Sequence, residues 1–152
     1  MGKKIGPNPT DRAKNGSKHS IITDGGGVPL IFHLKAANET DYKGLPELVD
    51  DIPPIKGPRG RPRFRPVIVQ TDRGYDSEEQ RIALRQRGIV PLIAKRYTPH
   101  GSGLGVYRWV VERTISWLHQ YRRLRIRWER RTDIHEAFLW LACILVIWKT
   151  FL

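Results

Sequence analysis

Val67-Ile68-Val69-Gln70-Thr71-Asp72-Arg73-Gly74-Tyr75 is the stretch on which the fold turns. A short apolar, largely β-branched run ends abruptly in a carboxylate, and a glycine follows two residues on. That is the pattern of a buried strand in an α/β sheet, a continuous apolar run bounded by turn residues. Open α/β sheets bind their ligands just past the carboxyl ends of such strands. Asp72 is therefore expected at the sheet edge, facing out. Immediately after it, Ser77-Glu78-Glu79-Gln80 places Ser three residues before Gln, the capping-box spacing that opens a helix. The helix is predicted over 77–87, with Ile82 and Leu84 inward and Gly88 as its stop. A second strand follows over 89–94.

Working upstream, 56–66 is the most biased segment: Lys56, Arg59, Arg61, Arg63 and Arg65 alternate with Gly and Pro, and no acid lies among them. Pro and Gly exclude a helix or central strand, so the guanidinium groups stand on an exposed loop. Arg forks suit phosphate oxygens, and a loop that grips a nucleic-acid backbone is favoured over a solvated linker. Before it, Thr40 or Asp41 can cap a short helix ending near Asp51, where Ile52-Pro53-Pro54 stops it. Two β-prone runs, 19–23 and 28–34, flank Asp24-Gly25-Gly26-Gly27 and predict an antiparallel hairpin. Asp24 there reads as a turn residue bonding its own backbone. Residues 1–18 show no periodicity and read as an extended, mobile basic lead-in, leaving 19–152 as the folded domain.

Working downstream, 95–105 is a glycine-rich loop carrying Tyr97, mobile enough to touch a ligand. A long helix is then predicted over 106–124. Its apolar positions include Val110, Val111, Ile115, Leu118 and Leu124, and Arg108, Glu112, Ser116, His119 and Arg123 form a polar stripe on one face. Apolar neighbours on both sides place Glu112 at the border of the core; an Arg108–Glu112 surface pair is the alternative, worth a few tenths of a kcal/mol. Arg122, Arg123, Arg125, Arg127, Arg130 and Arg131 surround Trp128 in a second basic surface. Asp133 can cap a last helix, 134–151, apolar almost all round and so buried in a core or against a partner.

The chain of 152 residues allows one domain with a sizeable core. It carries 27 Lys and Arg against 15 Asp and Glu, a net charge of +12 and a pI near 10.3. That excess points to a polyanion, nucleic acid first and an anionic membrane surface second. One cysteine, Cys143, excludes an internal disulfide framework, and no Cys/His spacing suggests zinc. The N-terminus has no apolar segment of the signal-peptide kind. The longest apolar run, 137–148, counts 12 residues, short of the ~20 of a spanning helix. A soluble, cytoplasmic, basic protein is expected, with no membrane partner.

A strand-end Asp and a helix-borne Glu in such a chain suggest a divalent-metal site for phosphoryl chemistry. Mg²⁺ is held by few carboxylates and keeps positions for water and phosphate oxygens. Two such ions ~3.5–4 Å apart can serve an in-line displacement. A carboxylate pair alone equally fits a glycosidase.

Three segments carry a more specific signal. Gly6-Pro7-Asn8-Pro9-Thr10-Asp11-Arg12, Gln70-Thr71-Asp72-Arg73-Gly74-Tyr75-Asp76 and Arg108-Trp109-Val110-Val111-Glu112-Arg113-Thr114-Ile115-Ser116-Trp117-Leu118 resemble the bacterial insertion-sequence transposases of the DDE type, closest to the IS-four and IS-five groups. The resemblance covers nearly the whole chain. It implies an α/β, ribonuclease-H-like catalytic fold, Mg²⁺ or Mn²⁺, and DNA cleavage followed by strand transfer at transposon ends into target DNA, in a bacterial, nucleoid-associated setting. Asp72 then stands as the second acid of the triad, beside Tyr75, and Glu112 as the third, with Arg108 at the family's Arg place. The Tyr and Lys of that signature fall at Gly105 and His119. Expected DNA contacts are Arg59, Arg61, Arg63, Arg65, Arg73, Arg108, His119, Arg122 and Arg123. The family's first Asp sits on the opening strand of the sheet, and no strand ending in a carboxylate is found before His19. The chain is thus expected to be a C-terminal portion lacking that first strand, weak or inactive alone, and partnered by copies of itself or by an N-terminal transposase fragment. A non-catalytic DNA-binding fragment and a basic RNA-binding protein of ribosomal type are the competing readings.

Overall fold

The computed structural model describes residues 4–9, 12–40, 44–97 and 105–151, without the side chains of 105–108. The chain forms two compact units: Met1–Glu39 with Trp109–Leu152, and Thr40–Arg108 between them in sequence.

The first unit is built on an antiparallel hairpin, β2 (Asn15–Thr23) and β3 (Pro29–Ala36), with the short β1 (Gly6–Pro7) paired to the start of β2. The hairpin is as predicted, but the segment read as lead-in supplies β1 and the first four residues of β2. Its sequence gave no alternation because Gly16, Ser17 and Lys18 are polar or small; pairing with Ala36 and Lys35, and with β1 at Gly16, makes them strand. Asp24 does what a turn Asp does: its Oδ1 accepts from the N–H groups of Gly26 and Val28, both at 2.8 Å. Along β3, Phe32, Leu34 and Ala36 are buried at period two.

Against this hairpin unit lie α3 (Gly105–His119, its first four residues outside the unit), α4 (Arg122–Arg125) and α5 (Thr132–Phe151). Phe32, Leu118, Leu124, Leu139, Ala142, Cys143 and Val146 form one buried cluster. The single helix predicted over 106–124 is broken, because Tyr121 is extended (φ −79°, ψ 113°) ahead of α4. The break has a packing reason. Residues six apart on a straight helix point roughly 120° away from each other, yet Leu118 and Leu124 share one core. The last helix begins two residues earlier than predicted, and Asp133 lies inside its first turn. With 20 residues, α5 is long and apolar enough to cross a membrane by length and composition; the run of uninterrupted apolar residues had suggested otherwise. One of its sides nevertheless packs into the core through Leu139, Ala142, Cys143 and Val146, while Leu141, Ile144 and Trp148 are exposed. Burial pushes the Cys143 thiol up to about 11, leaving it an inert packing group.

The second unit is a βαβ arrangement. Strand β4 (Ile68–Thr71) pairs in parallel with β5 (Val90–Ile93), and α2 (Glu78–Gln86) connects them. A short helix, α1 (Leu45–Asp50), packs on α2. Gly88, at φ +72°, ends the connection as predicted. Four expectations fail. Ile82, predicted inward with Leu84, is 47% exposed, because residues two apart on a helix face different ways; Gln80 and Leu84 form the buried side. Helix α1 starts later than predicted, with Gly44 and not Thr40 or Asp41 at its N-cap. Ser77 makes no side-chain capping bond; Asp76 instead anchors the helix entrance, taking Arg81 Nη2 at 2.5 Å and the Arg96 N–H at 2.7 Å. Nor is β4 buried on both faces: Val69 and Ile93 are inward, whereas Ile68 and Val90 are about half exposed. A parallel pair is fully buried only where helices cover both faces.

Candidate functional site

Asp72 follows β4 directly and sits at the carboxyl end of the parallel pair, as its sequence position requires. Its backbone is extended (φ −78°, ψ −179°), and the carboxylate caps a 3-10 turn over Arg73–Tyr75 by accepting from Gly74 N–H at 2.9 Å. A Cβ on Gly74 would lie 3.0 Å from Asp72 Oδ1, a tight contact with the carboxylate that caps the turn. The carboxylate is exposed, and its Oδ2 makes no hydrogen bond among the described residues. One oxygen is thus fixed and the other available.

The turn itself is clamped by a residue that sequence reasoning missed. Arg96 donates from Nε to Arg73 O (3.0 Å) and from Nη2 to Gly74 O (3.1 Å). Its backbone N–H meets Asp76, and with Arg81 it holds that carboxyl below the usual carboxylate range. Parallel pairing places the ends of β4 and β5 side by side, so residues about twenty apart in sequence meet at one edge. The one available signal was Lys95-Arg96 directly after the second predicted strand.

Glu112 belongs to α3 in the other unit. Its predicted position at the core border is not observed: the side chain is exposed, while the neighbours that turn inward are Val110, Thr114 and Leu118. On a helix the apolar residues beside it in sequence occupy other faces. Ser116 and His119 share its exposure, so the polar stripe holds over α3, but it ends at the break before Arg123. The side chain of Arg108 lies outside the described residues.

The residues flanking Glu112 are tied down strongly. The Arg113 guanidinium lies between the Trp109 and Trp117 rings, 4.4 and 4.8 Å from their centroids, and donates from Nη2 to Gly26 O at 2.6 Å. Thr114 Oγ1, fully buried, donates to Gly27 O at 2.7 Å. Gly27 has φ +87°, and a Cβ there would come 2.9 Å from Arg113 Nη2. Helix α3 is therefore stapled to the hairpin turn by the residues that follow Glu112.

The basic loop is folded back on itself by an isolated bridge between Ile55 and Arg63, with N–H···O distances of 2.9 and 2.8 Å. Arg59 and Arg61 stand at its exposed tip and make no hydrogen bond or ion pair among the described residues. Arg63 is exposed as well, whereas Arg65 reaches Arg87 O at 3.5 Å. Arg73 is only half-exposed, its carbonyl held by Arg96. Arg122 is exposed, but Arg123 hydrogen-bonds Glu129 and covers the Phe138 ring. Tyr97 is fully exposed, and the rest of its loop, 98–104, lies outside the described residues.

Two exposed carboxylates, one with an unengaged oxygen, are the hard oxygen donors that Mg²⁺ or Mn²⁺ takes. Among the described residues no group of three or more His, Cys, Asp or Glu is gathered as a metal site. The chemistry of the donors fits such an ion.

Comparison with known proteins bears on the same residues. Residues 2–147 match the family model described as "Transposase DDE domain". The chain is 64% identical over 147 residues to a Burkholderia cepacia protein named "Putative transposase for insertion sequence element IS402", covering 97% of this chain and 70% of that protein. It is 29% identical over 117 residues to the "Transposase for insertion sequence element IS1106" of Neisseria meningitidis serogroup B, covering 70% of this chain and 37% of that protein. No solved structure matches.

Proposed function

The chain belongs to the family of DDE transposase domains, and from that premise we propose that Asp72 and Glu112 are its metal-binding acids in phosphodiester cleavage and strand transfer at insertion-sequence ends. The observation that carries this is the Asp72 site: a carboxylate at the carboxyl end of a parallel strand, fixed through one oxygen, its turn clamped by Arg96. Bound there, Mg²⁺ or Mn²⁺ would polarise the phosphate and lower the pKa of the attacking water or hydroxyl. The chain's own part is to position the two carboxylates and to seat DNA. Asp72 is ordered by Gly74 N–H, and Glu112 is set by the staple of Arg113 and Thr114 onto the hairpin turn. Arg59, Arg61, Arg63 and Arg122 offer guanidinium groups to backbone phosphates, with Arg65, Arg73, Arg108, His119 and Arg123 as the remaining contacts.

The succession of antiparallel hairpin, parallel βαβ and acid-bearing helix supports a ribonuclease-H-like arrangement. DNA ends and target DNA are the partners, and the bacterial nucleoid is the place of action. Asp24 is engaged in its own turn; the partners are copies of this chain or an N-terminal transposase fragment, the latter supplying the first acid of the triad. A second reading, a DNA-binding chain without catalysis, is favoured by the lack of a three-acid cluster among the described residues.

The test is an end-cleavage assay with Mg²⁺ alongside a binding assay on the same DNA. Asp72→Asn and Glu112→Gln are each expected to reduce nicking at least a hundredfold and to leave DNA affinity within a few-fold of the parent. Asp72→Asn with undiminished nicking overturns the assignment. A parent chain that binds ends without metal and cuts none, with both variants binding equally, establishes the second reading.

The basic loop makes a separate prediction. Counterion release gives log K against log salt a slope of about −0.9 per phosphate neutralised on duplex DNA. Replacing Arg59 and Arg61 together by Ala is expected to flatten that slope by about 2. An unchanged slope, read from binding isotherms between low and moderate salt, removes the loop from the interface.

A further inference from the structure

Between α4 and α5 the chain leaves regular structure for a few residues, and there its exposure alternates. Ile126 is extended (φ −131°, ψ 123°) and exposed, Arg127 turns inward, Trp128 outward, Glu129 inward and Arg130 outward. This is the period-two pattern of extended chain.

The inward side is firmly held. Arg127 donates to Lys4 O (3.2 Å), Glu129 O (3.0 Å), Thr132 Oγ1 (3.3 Å) and Ser17 Oγ. Glu129, its side chain 7% exposed, accepts from Arg123. Burial pushes its carboxyl up, but the Arg123 hydrogen bond, backbone contacts and nearby positive charge bring it below the usual range, so it stays ionised. With both inward residues anchored, the alternation directs the three outward residues to the surface.

Trp128 is 60% exposed and Ile126 55%, while Arg122, Arg125 and Arg130 around them are exposed and make no hydrogen bond or ion pair among the described residues. An exposed indole on a segment that also carries exposed guanidinium groups suits a partner that is both flat and anionic. Unpaired nucleotides supply both, a π-face for the indole and phosphates for the arginines. Paired bases in a duplex offer no open face to a single outward ring.

We infer that the 126–130 edge is a stacking site for unpaired DNA, with Trp128 on a base and Arg125 and Arg130 on the flanking phosphates. This rests on the DNA-binding reading above and narrows it, since the edge would hold a strand that has been opened or cut, away from Asp72 and Glu112 in sequence and role. Anchoring of the segment by Arg127 and Glu129 removes part of the ordering cost of binding.

The experiment compares the full chain on labelled oligo(dT) and on a labelled duplex, for the parent and for Trp128→Ala, Trp128→Leu and Trp128→Phe. Base stacking on an aromatic ring is worth ~1–3 kcal/mol. The expected result is therefore a loss of roughly tenfold or more on oligo(dT) for the Ala and Leu variants, recovery with Phe, and duplex affinity within about twofold throughout. Equal losses on both ligands, or a Leu variant as good as the parent, overturn stacking. No effect of any variant on oligo(dT), with duplex binding intact, overturns the site and leaves the DNA reading standing. A parent chain that binds neither ligand at low salt defeats the DNA reading itself.

Discussion

Leu139→Ala is expected to lower the stability of the protein by about 3–4 kcal/mol, because the side chain is fully buried at the centre of the cluster shared by β3, α3, α4 and α5. The transfer of the lost methyl and methylene groups accounts for part of that cost, and the cavity left among Phe32, Leu118 and Val146 for the rest. Leu141 on the same helix is the matched control: it is 52% exposed, so truncating it should cost under about 1 kcal/mol. Urea unfolding reads both, as a shift in midpoint at unchanged slope. The pair tests the central claim about α5, that a helix apolar on nearly every side commits only one of them to this core. Equal costs at the two positions would contradict the packing described.

The second large effect is on pH. His19 of β2 and His135 of α5 meet through their Nε2 atoms at 3.0 Å with stacked rings, and His135 is 1% exposed. One ring donates and the other accepts, so a second proton would set two N–H groups against each other. Burial, with help from the nearby His135, His119 and Arg127, lowers His19 to about 4. Burial and Arg127 also lower His135, against the opposing pull of Glu129 and Glu136. In the unfolded chain His19 takes its proton near pH 6.5. Above that pH both states are neutral and the full stability is present. As the pH falls from 6.5 to 4 the unfolded chain binds a proton that the folded chain refuses, and stability drops by up to about 3 kcal/mol from this group. The carboxylates with lowered values, Asp50, Asp76, Glu129 and Asp133, act in a lower window, below their ordinary range near pH 4. Urea midpoints at pH 7.5 and 5 should therefore separate clearly, and His19→Gln should bring them closer together. A variant with the same pH slope as the parent would place the acid sensitivity elsewhere.

The parts of the fold legible in the sequence are those decided by local chemistry. The hairpin turn at Asp24, the strand before Asp72, the helix of the βαβ unit and its glycine stop all sit within a residue or two of where turn residues and apolar spacing put them. The parts that were not legible depend on contacts across the chain. Residues 15–18 become strand only because β3 lies alongside. The break before α4 carries no Pro or Gly and is imposed by Leu118 and Leu124 needing one core. The exposed face of β4 and the exposure of Glu112 follow from what covers each surface, which neighbours in sequence do not reveal. At the site, Asp72 was visible because a strand end is a local feature. The Arg96 clamp and the staple of Arg113 and Thr114 onto Gly26 and Gly27 were not, since each joins residues brought together by pairing or packing. The arginines read as one basic surface also divide in the structure: Arg123, Arg127 and Arg131 are engaged with protein groups, and Arg122, Arg125 and Arg130 are exposed with no hydrogen bond or ion pair among the described residues.

The first unit is written in two instalments, residues 1–39 and 109–152, with the second unit threaded between them. In synthesis the later-starting unit is the earlier to be finished, since its last residue, Arg108, is joined to the chain before α4 and α5 are made. At bacterial elongation rates of about 5–20 residues per second, the β2–β3 hairpin waits several seconds for the helices that bury Phe32 and for His135, the partner of His19. A chain ending at Gln120 would thus hold a complete parallel pair and a hairpin that lacks α4, α5 and His135, and the hairpin is the part that chaperones and proteases would meet first.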